Sequence, residues 1–123
     1  MTPIATIEVS LPPKPLSPNA RPHWATKHKA TRNYKATVAG VVRVLHPELV
    51  DRRWKHATVR YRFFFPLGRK RDDDNYIAMM KPARDALEQV GVVENDAGIT
   101  LLPVEMGSDK KNPRVEIVIE EAS

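Results

Sequence analysis

Apolar side chains recur along this chain with two different periods, and the points where one period gives way to the other mark out its elements. Ile4, Ile7, Val9 and Leu11 alternate weakly with polar residues, which predicts a strand over residues 6–11. The strand must stop at Pro12-Pro13-Lys14-Pro15-Leu16-Ser17-Pro18, which is too rich in proline for a helix or a central strand. Residues 19–29, polar and basic with His23 and Trp24, read as a loop. Thr31 or Asn33 is suited to cap a helix that runs to Leu45, because Tyr34, Val38, Val41, Val42 and Leu45 fall at helical spacing; His46-Pro47 ends it. Residues 57–66 alternate and then turn continuously apolar (Val59, Tyr61, Phe63, Phe64, Phe65), predicting a buried strand with Pro66 as its stop.

Residues 67–71 form a basic loop, and a second helical stripe then runs through Ile77, Met80, Ala83, Leu87 and Val90. It predicts a helix over 75–90 capped by Gly91, either kinked at Pro82 or beginning there. Two strands, 99–106 and 114–120, close the chain around the turn-rich segment 107–113. The order β-α-β-α-β-β is that of one α+β domain over residues 1–123, a small mixed β-sheet with two helices on one face.

Length and composition narrow the class without choosing a function. A chain of 123 residues holds one core and little more. No run of apolar residues is long enough to span a membrane, and the start, Met1-Thr2-Pro3-Ile4, has no signal-peptide pattern. Cysteine is absent, which excludes disulfides and thiolate metal sites and fits a reducing cytoplasm. Charge changes the picture more. Between Arg21 and Arg71 there are 14 Lys or Arg against two acids, a balance of +12, while the rest of the chain carries six against 13, or −7. Such asymmetry suits an anionic partner held by one part and a cation by the other; it is also what solvated faces produce.

The chemistry concentrates between Arg69 and Asp96. Three consecutive aspartates, Asp72, Asp73 and Asp74, repel one another and call for a counter-charge. Arg69, Lys70 and Arg71 supply part of it, and a hard cation such as Mg²⁺ or Mn²⁺ would supply more. If the run leaves the preceding strand extended, Asp72 and Asp74 point one way and Asp73 the other, with Asp74 or Asn75 capping the next helix. Asp96, in the polar turn Glu94-Asn95-Asp96, would return as a third carboxylate, and Lys81 lies about two helical turns past Asp74. The plainer reading is that residues 72–75 only cap a helix. No EF-hand spacing is present, and His23, His28, His46 and His56 have no zinc spacing. Trp24 and Trp54 read as half-buried packing residues more readily than as base-stacking platforms.

Arg71-Asp72-Asp73-Asp74-Asn75, Lys81 with Asp85-Ala86-Leu87, Gly91 and Asn95-Asp96 together resemble the core of the RusA family of Holliday junction resolvases. Leu11-Pro12-Pro13 and Ser17-Pro18-Asn19-Ala20-Arg21 resemble that family's proline-rich strand exit. The resemblance implies Asp72, Asp74 and Asp96 as metal-binding carboxylates and Lys81 as a catalytic lysine. It further implies Mg²⁺ dependence, with Mn²⁺ as a substitute, a homodimer, paired nicks across a four-way DNA junction, and a phage, prophage or bacterial setting. One departure is visible: the step from Asn75 to Asp85 is longer than the family's by about one helical turn, and the extra turn falls before Lys81. Arg21, Lys27, Lys29, Arg32, Arg69, Lys70, Arg71, Lys110 and Lys111, with Arg114, are the expected contacts to backbone phosphates. A flap or branch nuclease with the same site, and a basic DNA-binding module that does not cut, are the competing classes.

Overall fold

The computed structural model describes residues 4–68 and 71–122. Alternation sets the sheet, whose strands are β1 (Ile4–Val9), β2 (Ala57–Phe65), β3 (Ile99–Leu101), β4 (Glu105–Ser108) and β5 (Arg114–Glu121). Ala57, Val59, Tyr61, Phe63 and Phe65 of β2, Ile7 and Val9 of β1, and Val115, Ile117 and Ile119 of β5 are all buried. Such a period of two on neighbouring strands gives one buried and one open face. β5 is central: it runs antiparallel to β1 on one side and to β2 on the other. The far edge of β2 is shared by β3 and β4, both parallel to it, at residues 57–59 and 62–65 respectively. The sheet is therefore mixed, as the element order predicted. The expected single strand over 99–106 is two strands, because Pro103 has no N–H to offer the ladder and breaks it between Leu101 and Glu105.

Three helices cover the buried face: α1 (Trp24–Leu45), α2 (Asp73–Met79) and α3 (Lys81–Gln89). Tyr34, Val38, Ala39 and Val42 of α1 and Ala83, Ala86 and Leu87 of α3 close over the sheet. Residues 24–29, expected as loop, are the first turns of α1, capped by His23, whose Nδ1 accepts the Ala25 N–H at 3.2 Å. Apolar periodicity does not mark them because residues 24–29 are all exposed and the first fully buried residue of α1 is Tyr34. Thr31 is not a cap; its hydroxyl donates to the Lys27 carbonyl at 2.9 Å inside the helix. Trp24 is exposed and Trp54 buried, so the half-buried expectation fails for both.

The helix expected over 75–90 is interrupted. Met80, with φ −87° and ψ 2°, separates α2 from α3, and Pro82 sits in the first turn of α3. That position suits proline because its missing N–H would have no helical partner. Gly91, with φ +79°, ends α3 as predicted; its N–H donates to the Glu88 carbonyl at 3.0 Å and the Val92 N–H to that of Leu87 at 2.9 Å. No helix among the described residues is long and apolar enough to cross a membrane.

Candidate active site

The acidic run begins where β2 ends, and aromatic packing holds it there. Tyr76 of α2 meets the Phe65 ring edge-on at 4.9 Å and the Phe63 ring at 5.4 Å. The Arg71 guanidinium lies 3.7 Å from the centre of the Phe65 ring, and its Nη1 donates to the Leu67 carbonyl at 2.9 Å. Asp72 then caps α2: its Oδ1 accepts the Asp74 N–H at 3.0 Å. This overturns the alternation argument, since Asp73 and Asp74 already lie in the first helical turn. There successive side chains turn by about 100° instead of alternating, so Asp72 and Asp74 are not a same-facing extended pair. The cap is Asp72, not Asp74 or Asn75. All three aspartates are exposed, at the end of a helix whose dipole favours negative charge.

The other half of the candidate site forms between α3 and the turn after it. Lys81, the first residue of α3, donates from Nζ to Asp85 Oδ1 at 2.6 Å and to Asp96 Oδ2 at 3.0 Å. The break at Met80 makes Lys81 the first residue of α3, one turn before Asp85. The hydrogen bond to Asp85, then that to Asp96, hold the Lys81 ammonium above its ordinary range. In return the Lys81 hydrogen bond and charge hold the Asp96 carboxyl below its own. Asn95 caps the 3-10 turn Asp96–Gly98 by accepting the Ala97 N–H at 2.8 Å.

Among the described residues no three acidic or imidazole side chains stand close enough together to hold one metal ion. The donors are of the right kind, hard exposed oxygens, but part of their capacity is spent within the chain: Asp72 Oδ1 on a backbone N–H and Asp96 Oδ2 on Lys81. The fit to a divalent cation is thus one of donor chemistry and not of a ready-made three-carboxylate cage.

Of the expected phosphate contacts, Lys27, Lys29 and Arg32 lie on α1, not in a loop, and Lys110 and Lys111 are exposed in the turn before β5. Arg21 is exposed just ahead of α1, while Arg69 and Lys70 lie outside the described residues. Arg114 is not available in the way expected. It is ion-paired to Asp109 at 2.8 Å and to Glu116 at 3.1 Å, and lies 4.1 Å from the centre of the Phe64 ring. Arg84 and Glu88, which the sequence reading passed over, both touch the Asp96 turn. The signal for them was present: Lys81, Arg84, Asp85 and Glu88 make a polar stripe at helical spacing opposite Ala83, Ala86 and Leu87.

The family model for endodeoxyribonuclease RusA matches residues 13–120, nearly the whole chain. The chain belongs to the RusA endodeoxyribonuclease family. Its match takes in both halves of the candidate site, from the acidic run at the end of β2 to the Asp96 turn. An endodeoxyribonuclease, the activity in the family's description, cuts within a DNA strand. No curated protein matches the chain.

Proposed function

We propose that this chain is a Mg²⁺-dependent endodeoxyribonuclease that resolves Holliday junctions, or closely related branched DNA, by paired nicks. The observation that carries the proposal is the Lys81–Asp96 contact at the acidic turn of a RusA-family chain, with Asp72 and Asp74 exposed at the start of α2. Asp72, Asp74 and Asp96 would hold Mg²⁺, or Mn²⁺ in its place, and the ion would acidify a bound water and screen the scissile phosphate. In the cut itself the water oxygen bonds to phosphorus, one bridging P–O bond breaks, and the proton passes to the leaving oxygen.

Lys81 contributes a fixed positive charge. Its ammonium, held by Asp85 when no phosphate is near, can turn from Asp96 to a phosphate oxygen without leaving its helix position. Cysteine is absent and no Ser-His pair stands out as a covalent nucleophile, which favours direct hydrolysis by water. Since paired nicks need two sites and each chain carries one set of these residues, a homodimer is part of the proposal. A cytoplasmic location, where the DNA is, completes it.

Binding to DNA is supported by α1. It carries Lys27, Lys29, Arg32, Lys35 and Arg43 and no Asp or Glu. Arg32, Lys35 and Arg43 line one groove with Gln89 of α3. On the open sheet face, by contrast, Arg60 and Arg62 are matched by Glu105 and Glu116. Phosphate contacts of this kind favour recognition by branched shape over recognition by base sequence.

The test is cleavage of four-way, flap and linear duplex DNA with and without Mg²⁺, using the wild-type chain and Asp74→Asn. A resolvase cuts the four-way junction in symmetric pairs, needs the ion, and loses cutting but not junction binding in Asp74→Asn. Preferential flap cleavage would make it a branch nuclease of the same site chemistry. Unchanged nicking by Asp74→Asn would remove the metal-site reading.

A further inference from the structure

One face of α3 takes up every kind of polar group that Asp96 has. The Asp96 N–H donates to Glu88 Oε1 at 3.0 Å, its backbone carbonyl accepts from Arg84 Nη2 at 3.0 Å, and its Oδ2 accepts from Lys81 Nζ at 3.0 Å. These three side chains stand at positions 81, 84 and 88, along one side of a helix with 3.6 residues per turn. A polar turn at the surface has no need of such partners, because water satisfies its backbone equally well. Arg84 makes the arrangement more telling. It is partly buried, and its Nε is enclosed without a hydrogen-bond partner, so the chain accepts an incompletely satisfied guanidinium beneath the turn. Glu88 is exposed and closes no part of the core.

We propose that Arg84 and Glu88 are positioning residues that fix the backbone of Asp96, and so the direction of its carboxylate, for the cleavage reaction. The proposal rests on the reading of Asp96 as a working carboxylate. With N–H and carbonyl both clamped to α3, the peptide planes on either side of Asp96 cannot rotate independently of the helix. Its side chain then has only its own rotamers to search, and Lys81 at the head of the same helix selects among them. The two backbone contacts share one rigid element, so the Asp96 backbone keeps its place on α3 when Lys81 turns to a phosphate.

The test uses the full chain in four forms: wild type, Glu88→Ala, Glu88→Gln and Arg84→Lys. Three quantities are measured: the single-turnover cleavage rate on a four-way junction with Mg²⁺ at saturating protein, junction affinity in EDTA, and hydrogen exchange of the Asp96 amide in the metal-free protein. Glu88→Ala should slow cleavage by about 10- to 100-fold with affinity nearly unchanged. Its Asp96 amide should exchange about fivefold faster, the loss expected from one hydrogen bond. Glu88→Gln keeps an acceptor oxygen and should recover both values, which loss of a charge alone would not allow. Arg84→Lys should slow cleavage in the same way while keeping the positive charge.

Wild-type cleavage or wild-type Asp96 exchange in Glu88→Ala would overturn the proposal, as would a Glu88→Gln variant as slow as Glu88→Ala. Asp96→Asn separates this from the wider reading. If Asp96→Asn is inactive while Glu88→Ala is normal, the positioning role alone falls; if Asp96→Asn cuts normally, the reading of Asp96 falls and takes the positioning role with it.

Discussion

Gly98 stands two residues past Asp96 with its backbone so close to Lys55 that a β-carbon there would overlap the Lys55 carbonyl oxygen. That oxygen belongs to backbone, which yields less readily than a side-chain tip. Gly98→Ala should therefore cost about 1–3 kcal/mol, the usual range for overpacking, and move the Asp96 turn as it does so. A fall in thermal midpoint together with slower cleavage would bear this out; an alanine variant as stable and as active as wild type would sink it. The Lys81–Asp96 contact carries a pH signature at the same scale. Asp96, held below its ordinary 3.8 by Lys81, adds stability that is present above that value and lost as pH falls through its lower folded value. Lys81, held above its ordinary 10.5 by Asp85 and then Asp96, adds stability present below that value and lost as pH rises through its higher folded value. The difference in thermal midpoint between wild type and Asp96→Asn should be flat from about pH 5 to 9 and shrink outside that window. A difference that changes between about pH 6 and 8 would point to some other group.

At the scale of elements, α3 holds both the core and the site together. Leu87 is completely buried on one side of the helix while Lys81, Arg84 and Glu88 work on the other. Leu87→Ala should cost about 2–5 kcal/mol, the range for truncating a buried leucine. Denaturant melts would measure it, and a cost under about 1 kcal/mol would mean that α3 is not anchored as described. What sequence made legible at this scale follows from burial. β2 and β5, with one face in the core, carried their alternation openly, and Gly91 announced the end of α3 because only a residue without a β-carbon takes φ +79° at ease. The first turns of α1 bury nothing and so left no apolar period to read. The break at Met80 was half legible through Pro82, which fixed a discontinuity without saying on which side the new helix begins. In the site, the local backbone of the acidic run was not readable. Asp73 and Asp74 are helical, so the alternation of extended chain does not hold for them. Arg84 and Glu88 share a polar stripe with Lys81, but their partners are backbone atoms some eight to twelve residues away, and the stripe marks a face without naming those partners.

For the whole molecule the question is how a chain with net charge +5 handles a polyanion. Its positive charge is not spread evenly. Arg62 is bound to Glu105 at 3.0 Å and to Glu116 at 3.8 Å, which leaves the open face of the sheet close to neutral. Lys29, Arg32 and Lys35 stand on a helix that has no acid of its own. Each phosphate neutralised on duplex DNA contributes about −0.9 to the slope of log affinity against log salt. Replacing Lys29, Arg32 and Lys35 together by alanine should therefore make that slope shallower by up to about 2.7, if each meets one phosphate. Alanine is the strongest helix former, so α1 should persist, as circular dichroism can verify. Arg62→Ala removes a cation already matched by carboxylates and should leave the slope nearly where it was. The reverse result, a slope sensitive to Arg62 and indifferent to the α1 triple variant, would move the DNA from the helical side of the molecule to the open face of the sheet. The cleavage rate at saturating protein gives the second check: the α1 variants should weaken binding without slowing the cut, because none of their side chains touches Asp72, Asp74, Lys81 or Asp96.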